Sequence, residues 1–107
     1  MTVLNEQLLN KAMDIASEYA EDYIKENGES PVNCGFAWVL AKNVRGNKAK
    51  LLKEYGFRKA YSEPGLILWN PSMSATQDMS AKFVGAQKYA EIVAEAGIDI
   101  EAHCRYD

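Results

Sequence analysis

The sequence predicts a single α+β domain, and three observations lead to that class. A chain of 107 residues, 48% of them apolar, suits one domain with one core. Turn residues divide it into segments with helical apolar spacing and short apolar segments of strand length. The segments run helix, strand, helix, strand, strand, helix, strand. The last six elements match the ferredoxin-like split βαβ pattern, so residues 1–28 form an extra N-terminal helix and residues 32–107 a βαββαβ core.

The first helix is predicted from an apolar stripe. Apolar residues recur there at three- and four-residue spacing, namely Leu4, Leu8, Ala12, Ile15, Ala16, Tyr19 and Tyr23. Asn27 and Gly28 end the helix, because glycine accepts the left-handed turn that follows a helix. Similar spacing predicts helices over 48–55 and 80–96.

Two strands are predicted from continuous apolar runs, at 34–41 and 66–69. Residues 57–62 alternate bulky and charged side chains and indicate an edge strand, and 98–105 alternate as a half-buried last strand. Right-handed crossovers give the sheet order 4-1-3-2, which makes the two apolar strands central. We therefore predict that Trp38 and Trp69 are buried, with the N-terminal helix of the same chain or of a dimer mate covering the second face of the sheet.

Charge is distributed unevenly along the chain. The net charge is −3, yet residues 1–30 hold seven acids and two bases, and residues 42–59 hold seven bases and one acid. Such asymmetry is typical of an anion-binding face, although a solvated surface that balances the acidic helix explains it as well. The candidate residues for binding nucleic acid or an acidic host protein are Lys42, Arg45, Asn47, Lys48, Lys50 and Lys53.

Two further segments offer weaker hypotheses. The run from Gly35 to Val39 (GFAWV) is similar to the core of the RNA-recognition-motif signature, whose aromatics stack on bases. Here it lies on the first core strand instead of the third and lacks the leading base, so we interpret Phe36 and Trp38 as core residues. The polar loop 70–77 is the longest, and Asn70 and Ser72 could line a small-ligand pocket beside Arg45.

No set of catalytic or metal-binding residues is evident. Cys34, His103 and Cys104 could form a metal site or a cysteine–histidine pair only by coincidence of the fold. We therefore predict no metal, no cofactor and no catalytic residue. No apolar run approaches the ~18 residues that span a bilayer. With no export signal, the expected location is the cytoplasm.

From residue 34 onward the sequence resembles a family of small tailed-bacteriophage proteins of uncharacterised function. The resemblance lies in the runs CGFAWV (34–39) and WNPS (69–72), in Arg45-Gly46, and in the closing RYD (105–107). It implies a phage accessory protein in the bacterial host cytoplasm, and it implies no activity. Three functions stay open: a non-catalytic binding module that uses residues 42–59, a small-ligand binder or minor enzyme at the 70–77 loop, and a structural homodimer.

Overall fold

The computed structural model describes residues 2–30 and 32–107, and it confirms the α+β class. It contains three helices and one four-stranded antiparallel sheet. The elements are α1 (Glu6–Asn27), β1 (Gly35–Lys42), α2 (Gly46–Glu54), β2 (Arg58–Lys59), β3 (Leu66–Trp69), α3 (Met79–Ala94) and β4 (Asp99–Tyr106). In the described part of the chain, no helix is both long and apolar enough to cross a membrane.

The two apolar strands lie at the centre of the sheet. Hydrogen bonding orders the strands β2-β3-β1-β4, which is β4-β1-β3-β2 when read from the other edge. The register places Trp38 of β1 opposite both Trp69 of β3 and His103 of β4. Because directly paired residues of neighbouring strands share a face, this register brings the three side chains together on one side of the sheet.

The core lies between the other face of the sheet and the helices. Ala37, Val39 and Ala41 point from β1 into this layer and are almost completely buried. They pack there with Leu52 and Phe57 from the α2 region, and with residues of α1 and α3. Small side chains on β1 let α3 approach the sheet closely.

Helix α1 does not lie where the sequence led us to expect. It packs against α3 on the helical side of the sheet and leaves the second sheet face uncovered. Its buried stripe is mostly alanine, with Ala12, Ala16 and Ala20 fully buried. Such a stripe suits close packing against another helix better than packing over two tryptophans, because it offers little side-chain volume to fill the space between them. The predicted position of α1 over the second sheet face of its own chain is therefore wrong, and cover by the helix of a dimer mate stays a prediction.

Gly85 of α3 marks the point where α1, α3 and the 70–77 loop come closest. A Cβ atom at this position would lie 2.6 Å from Ser72 Cβ and 2.9 Å from the Ala16 carbonyl oxygen. We expect Gly85→Ala to lower the free energy of unfolding by about 1–2 kcal/mol in urea denaturation, because overpacking outweighs the gain in helix propensity. Gln87→Ala, on the exposed side of the same helix, should change it by less than about 0.5 kcal/mol.

The second strand is shorter than predicted. Phe57 turns inward and is fully buried, so only Arg58 and Lys59 pair with β3. The chain then leaves the ladder in a tight turn, in which the backbone N–H of Ala60 donates to the Gly65 carbonyl at 3.1 Å. Gly65 comes close to β1: a Cβ atom there would lie 2.6 Å from the Ala41 carbonyl oxygen and 3.0 Å from Leu40 Cδ1. The 60–65 turn therefore borders one end of the uncovered sheet face.

Candidate functional site

The uncovered face of the sheet is the most distinctive surface of the molecule, and we call it the open face. Its residues come from all four strands and alternate with core residues, as the pleat requires. They are Phe36, Trp38, Leu40, Lys42, Arg58, Ile67, Trp69, Asp99, Glu101, His103 and Arg105. Of these, Leu40 is fully buried and lies next to Gly65 of the 60–65 turn. Phe36 is 41% exposed and Trp69 is 50% exposed, so the interpretation of Phe36 as a core residue and of Trp69 as doubly buried is wrong, whereas Trp38 between them is half-buried.

Four rings form a continuous aromatic cluster across the centre of this face. Trp38 and Trp69 lie 4.9 Å apart between ring centroids, and His103 stacks on Trp38 at 5.7 Å. Phe36 meets Trp69 edge to face at 6.4 Å. Each contact falls within the range of favourable aromatic pairs. The contacts hold the rings in place without the cover of another element, which leaves the cluster open to a planar ligand.

Trp38 carries a polar group with no partner among the described residues. Its indole Nε1 is buried and makes no hydrogen bond. An unsatisfied buried donor costs about 1–3 kcal/mol, so native proteins rarely keep one without a reason. A partner molecule that shifted the neighbouring rings could supply the missing acceptor.

Cations flank the aromatic cluster at the Phe36 end. The Arg105 guanidinium lies 5.8 Å from the Phe36 ring centroid, and Lys82 Nζ lies 5.7 Å from it. The side chain of Arg105 makes no ion pair within the described residues, so its charge is available to an anion. Arg105 is exposed and Lys82 is buried, so a ligand on Phe36 would contact the Arg105 guanidinium directly and have the charge of Lys82 close by.

A groove of about 600 Å³ runs from the aromatic cluster to the 60–65 turn, and we call it the hairpin groove. Its floor is Trp38, Ile67 and Trp69, and its borders include Arg58, Tyr61 and Arg105. Arg58 is held in place because its guanidinium donates to the carbonyl oxygens of Lys53 and Phe57, at 3.1 and 2.8 Å. The volume lies within the range of small-ligand sites, and an apolar floor with charged borders suits an aromatic ligand that carries negative charge.

At the other end of the open face, Glu101 joins two partners. Lys42 Nζ lies 3.0 Å from Glu101 Oε1, and His103 Nε2 donates to the same oxygen at 2.8 Å. The hydrogen bonds from Lys42 and His103 lower the pKa of Glu101. The hydrogen bond to Glu101 in turn raises the pKa of Lys42. Glu101 therefore orients His103 against Trp38 and neutralises much of the charge of Lys42.

The candidate residues of the basic segment are only partly brought together. Lys42, Arg45, Asn47 and Lys48 border one cavity of about 470 Å³ at the start of α2, together with residues 97–99. Lys50 and Lys53 lie further along the helix and are exposed. Arg45, Lys48, Lys50 and Lys53 make no ion pair in the part of the chain that the structure describes. Arg45 and Lys48 lie beside residues 97–99, and Lys53 lies beside Arg58 of β2, so these charges follow α2 instead of forming one compact patch.

The 70–77 loop forms a hydrogen-bonded turn that packs inward. Ser72 is fully buried, and its hydroxyl donates to Asn70 Oδ1 at 3.2 Å. The Asn70 amide donates to the Ser74 carbonyl at 2.9 Å. Arg45 borders two cavities, whose walls come from residues 42–48, 64–66 and 97–99. The polar side chains of the loop thus hydrogen-bond to other residues of the same loop, and the loop packs beneath α3.

The cysteines and the histidine lie on different sides of the sheet. His103 belongs to the open face, whereas Cys104 packs against the core beside Ala37. Cys34 forms an isolated bridge with Asp78 ahead of β1. Within residues 2–30 and 32–107, no group of three or more histidine, cysteine or acidic side chains is placed to hold a metal ion.

Comparisons with protein-family models, with curated proteins and with solved structures gave no match.

Proposed function

We propose that this protein is a non-catalytic module that binds single-stranded nucleic acid on the open face of its sheet. The observation that carries the proposal is the uncovered aromatic cluster of Phe36, Trp38 and Trp69 on the two central strands. Four-stranded sheets in RNA-recognition motifs present aromatics on the same kind of surface, where they stack on two or three bases. The GFAWV run of residues 35–39 supplies two of the three rings here.

A single strand fits this surface better than a duplex. The rings lie on a broad sheet surface, and they can stack only on bases whose faces are free. In a duplex, each base face is already covered by its neighbours, so the tryptophans would have nothing to stack on. Arg58 and Arg105 at the borders of the hairpin groove can contact the phosphates that accompany each base.

The basic segment extends the same surface. Arg58 and Lys59 form the edge strand beside the hairpin groove, and Arg45 borders a cavity lined by residues 64–66 of the following turn. A strand leaving the groove over this edge would meet the positive charges of α2. These charges add affinity that is independent of sequence and weakens with salt. The resemblance to tailed-phage proteins would place this nucleic acid in the cytoplasm of an infected bacterium.

The proposal is tested with the chain's own fluorescence, since Trp38 and Trp69 are its only tryptophans and both lie on the open face. We expect a twelve-residue oligothymidylate to quench the tryptophan emission at low salt, because stacked bases quench an indole. An oligouridylate of the same length should do the same. A twelve-base-pair duplex should quench far less, since its base faces are already stacked.

Two outcomes would contradict the proposal. One is the absence of quenching by both oligonucleotides at low salt. The other is self-association through the same rings, which is the homodimer alternative. Light scattering would then show a dimer, and both tryptophans would become less accessible to iodide as the protein concentration rises. A protein that stays monomeric in light scattering and is quenched by single strands supports nucleic-acid binding.

A further inference from the structure

We infer that the open face takes two adjacent, unstacked nucleotides, one base in the hairpin groove against Trp69 and the next on Phe36, with Arg105 contacting the phosphate between them. This inference rests on the proposed function and adds the number, the conformation and the order of the nucleotides bound. It is carried by three features: the angle between the two rings, the extent of the groove, and the position of Arg105.

The angle between the rings excludes a stacked strand. The Phe36 and Trp69 ring planes are inclined at 82°, with centroids 6.4 Å apart. Successive bases of a stacked helical strand are parallel and about 3.4 Å apart, so they cannot lie flat on both rings at once. A strand whose bases are splayed apart can, and single strands adopt such conformations readily. The two rings therefore select neighbouring bases that are turned away from each other.

The hairpin groove holds one of the two bases. Its volume of about 600 Å³ is enough for a nucleoside. Trp38 and Trp69 provide the apolar floor, and Arg58 of β2 lies at the border. Phe36 contacts Trp69 but does not line the groove, which leaves its ring for the next base along the strand.

Arg105 stands where the linking phosphate must pass. Its side chain borders the hairpin groove, and its guanidinium also lies 5.8 Å from the Phe36 ring centroid. It makes no ion pair among the described residues, and its planar fork matches the oxygens of a phosphate. Lys82 Nζ lies 5.7 Å from the same ring, but its side chain is buried, so Lys82 adds positive potential beside Phe36 while Arg105 provides the direct phosphate contact. The alternation of ring and cation thus reproduces the alternation of base and phosphate.

The test is a length series of thymidylates (mono-, di-, tri- and hexanucleotide) followed through the two indole Nε1–H signals in NMR spectra of the full chain. We expect affinity to rise by about 5- to 150-fold from mono- to dinucleotide, which is the value of one added base–aromatic stack. From di- to hexanucleotide we expect a smaller increase that disappears at high salt. Phe36→Ala should bring the dinucleotide down to the affinity of the mononucleotide.

Arg105→Ala provides a second, independent readout. It should weaken dinucleotide binding more than mononucleotide binding, and it should lower the salt dependence of dinucleotide binding by about one phosphate contact. Lys11→Ala, an exposed lysine of α1, is the matched control and should change neither. If the hexanucleotide binds but neither the step from one to two nucleotides nor the Phe36→Ala effect is seen, the two-nucleotide site is wrong while the proposed function stands. If no thymidylate shifts either indole signal, both fail.

Discussion

Replacing Trp69 by alanine should reduce the affinity for single-stranded oligothymidylate by about 5- to 150-fold, since one base–aromatic stack contributes about 1–3 kcal/mol. Trp69 is the largest exposed ring of the open face, and it touches both Phe36 and Trp38. The protein should stay folded, because half of this side chain already faces solvent. Fluorescence anisotropy of a labelled oligonucleotide measures the affinity, and circular dichroism checks the fold.

Two control variants separate stacking from a general effect of losing an aromatic residue. Trp69→Phe keeps a ring at the same place and should recover most of the affinity. Tyr19→Ala removes a ring of similar exposure, 42%, from α1, which lies away from the open face, and should leave binding unchanged. Equal losses in Trp69→Ala and Tyr19→Ala would show that the open face is not the binding surface.

Lysine-to-glutamate reversal at Lys48 and Lys50 should weaken binding mainly at low salt, since these residues lie beyond the groove.

The class of fold could be predicted because local signals agree with one another. The apolar spacing of α1, the glycine after it and the run of β1 each specify an element without reference to the rest of the chain. The position of α1 could not be predicted in the same way. An apolar stripe shows that a helix packs against another element, but it does not show which element that is. The signal that was present is the small size of Ala12, Ala16 and Ala20, which matches the space above Gly85.

The open face could not be predicted, because a core and an exposed aromatic surface are built from the same residue types. A strand that is apolar on both faces indicates double burial, and this was the prediction for Phe36, Trp38 and Trp69. Nothing in the residue spacing distinguishes a buried face from an exposed aromatic face. The charges beside them come from three distant segments. Arg58, Lys82 and Arg105 converge only through the strand register and the start of α3. A charged residue at alternate positions of β4 was the one local indication that this face meets water or an anion.

Replacing Asp78 by alanine should lower the free energy of unfolding by about 2–4 kcal/mol at pH 7, because this carboxylate has several donors. Asp78 is 3% exposed and caps α3 by accepting from the Ala81 backbone N–H at 3.1 Å. It also accepts from the Ser30 backbone N–H at 3.0 Å and from the Asn33 amide at 3.1 Å. Urea denaturation measures the loss, and Asp22→Ala on exposed α1 should cost less than about 0.5 kcal/mol.

The same carboxylate should make stability depend on pH in the acid range. Burial raises the pKa of Asp78, but the hydrogen bonds from the Ser30 and Ala81 backbones outweigh it, so the pKa is lower in the folded protein than in the unfolded chain. The stabilisation is therefore complete above the unfolded pKa of about 3.9, and it is lost as the pH falls through the lower folded value. The difference between wild type and Asp78→Ala should be constant from pH 6 to 8 and shrink below about pH 4. A difference that is the same at pH 3 and pH 7 would rule out this role.

Asp78 also connects the stability of the fold to the open face. The Gly35 N–H donates to the Gln77 carbonyl at 3.3 Å, and the Met79 N–H donates to the Asn33 carbonyl at 2.8 Å, so the start of α3 holds the start of β1. Phe36 follows directly on β1. We therefore expect Asp78→Ala to weaken binding of the dinucleotide, which uses Phe36, more than binding of the mononucleotide in the hairpin groove. An equal effect on both would mean that the capping network stabilises the fold without positioning Phe36.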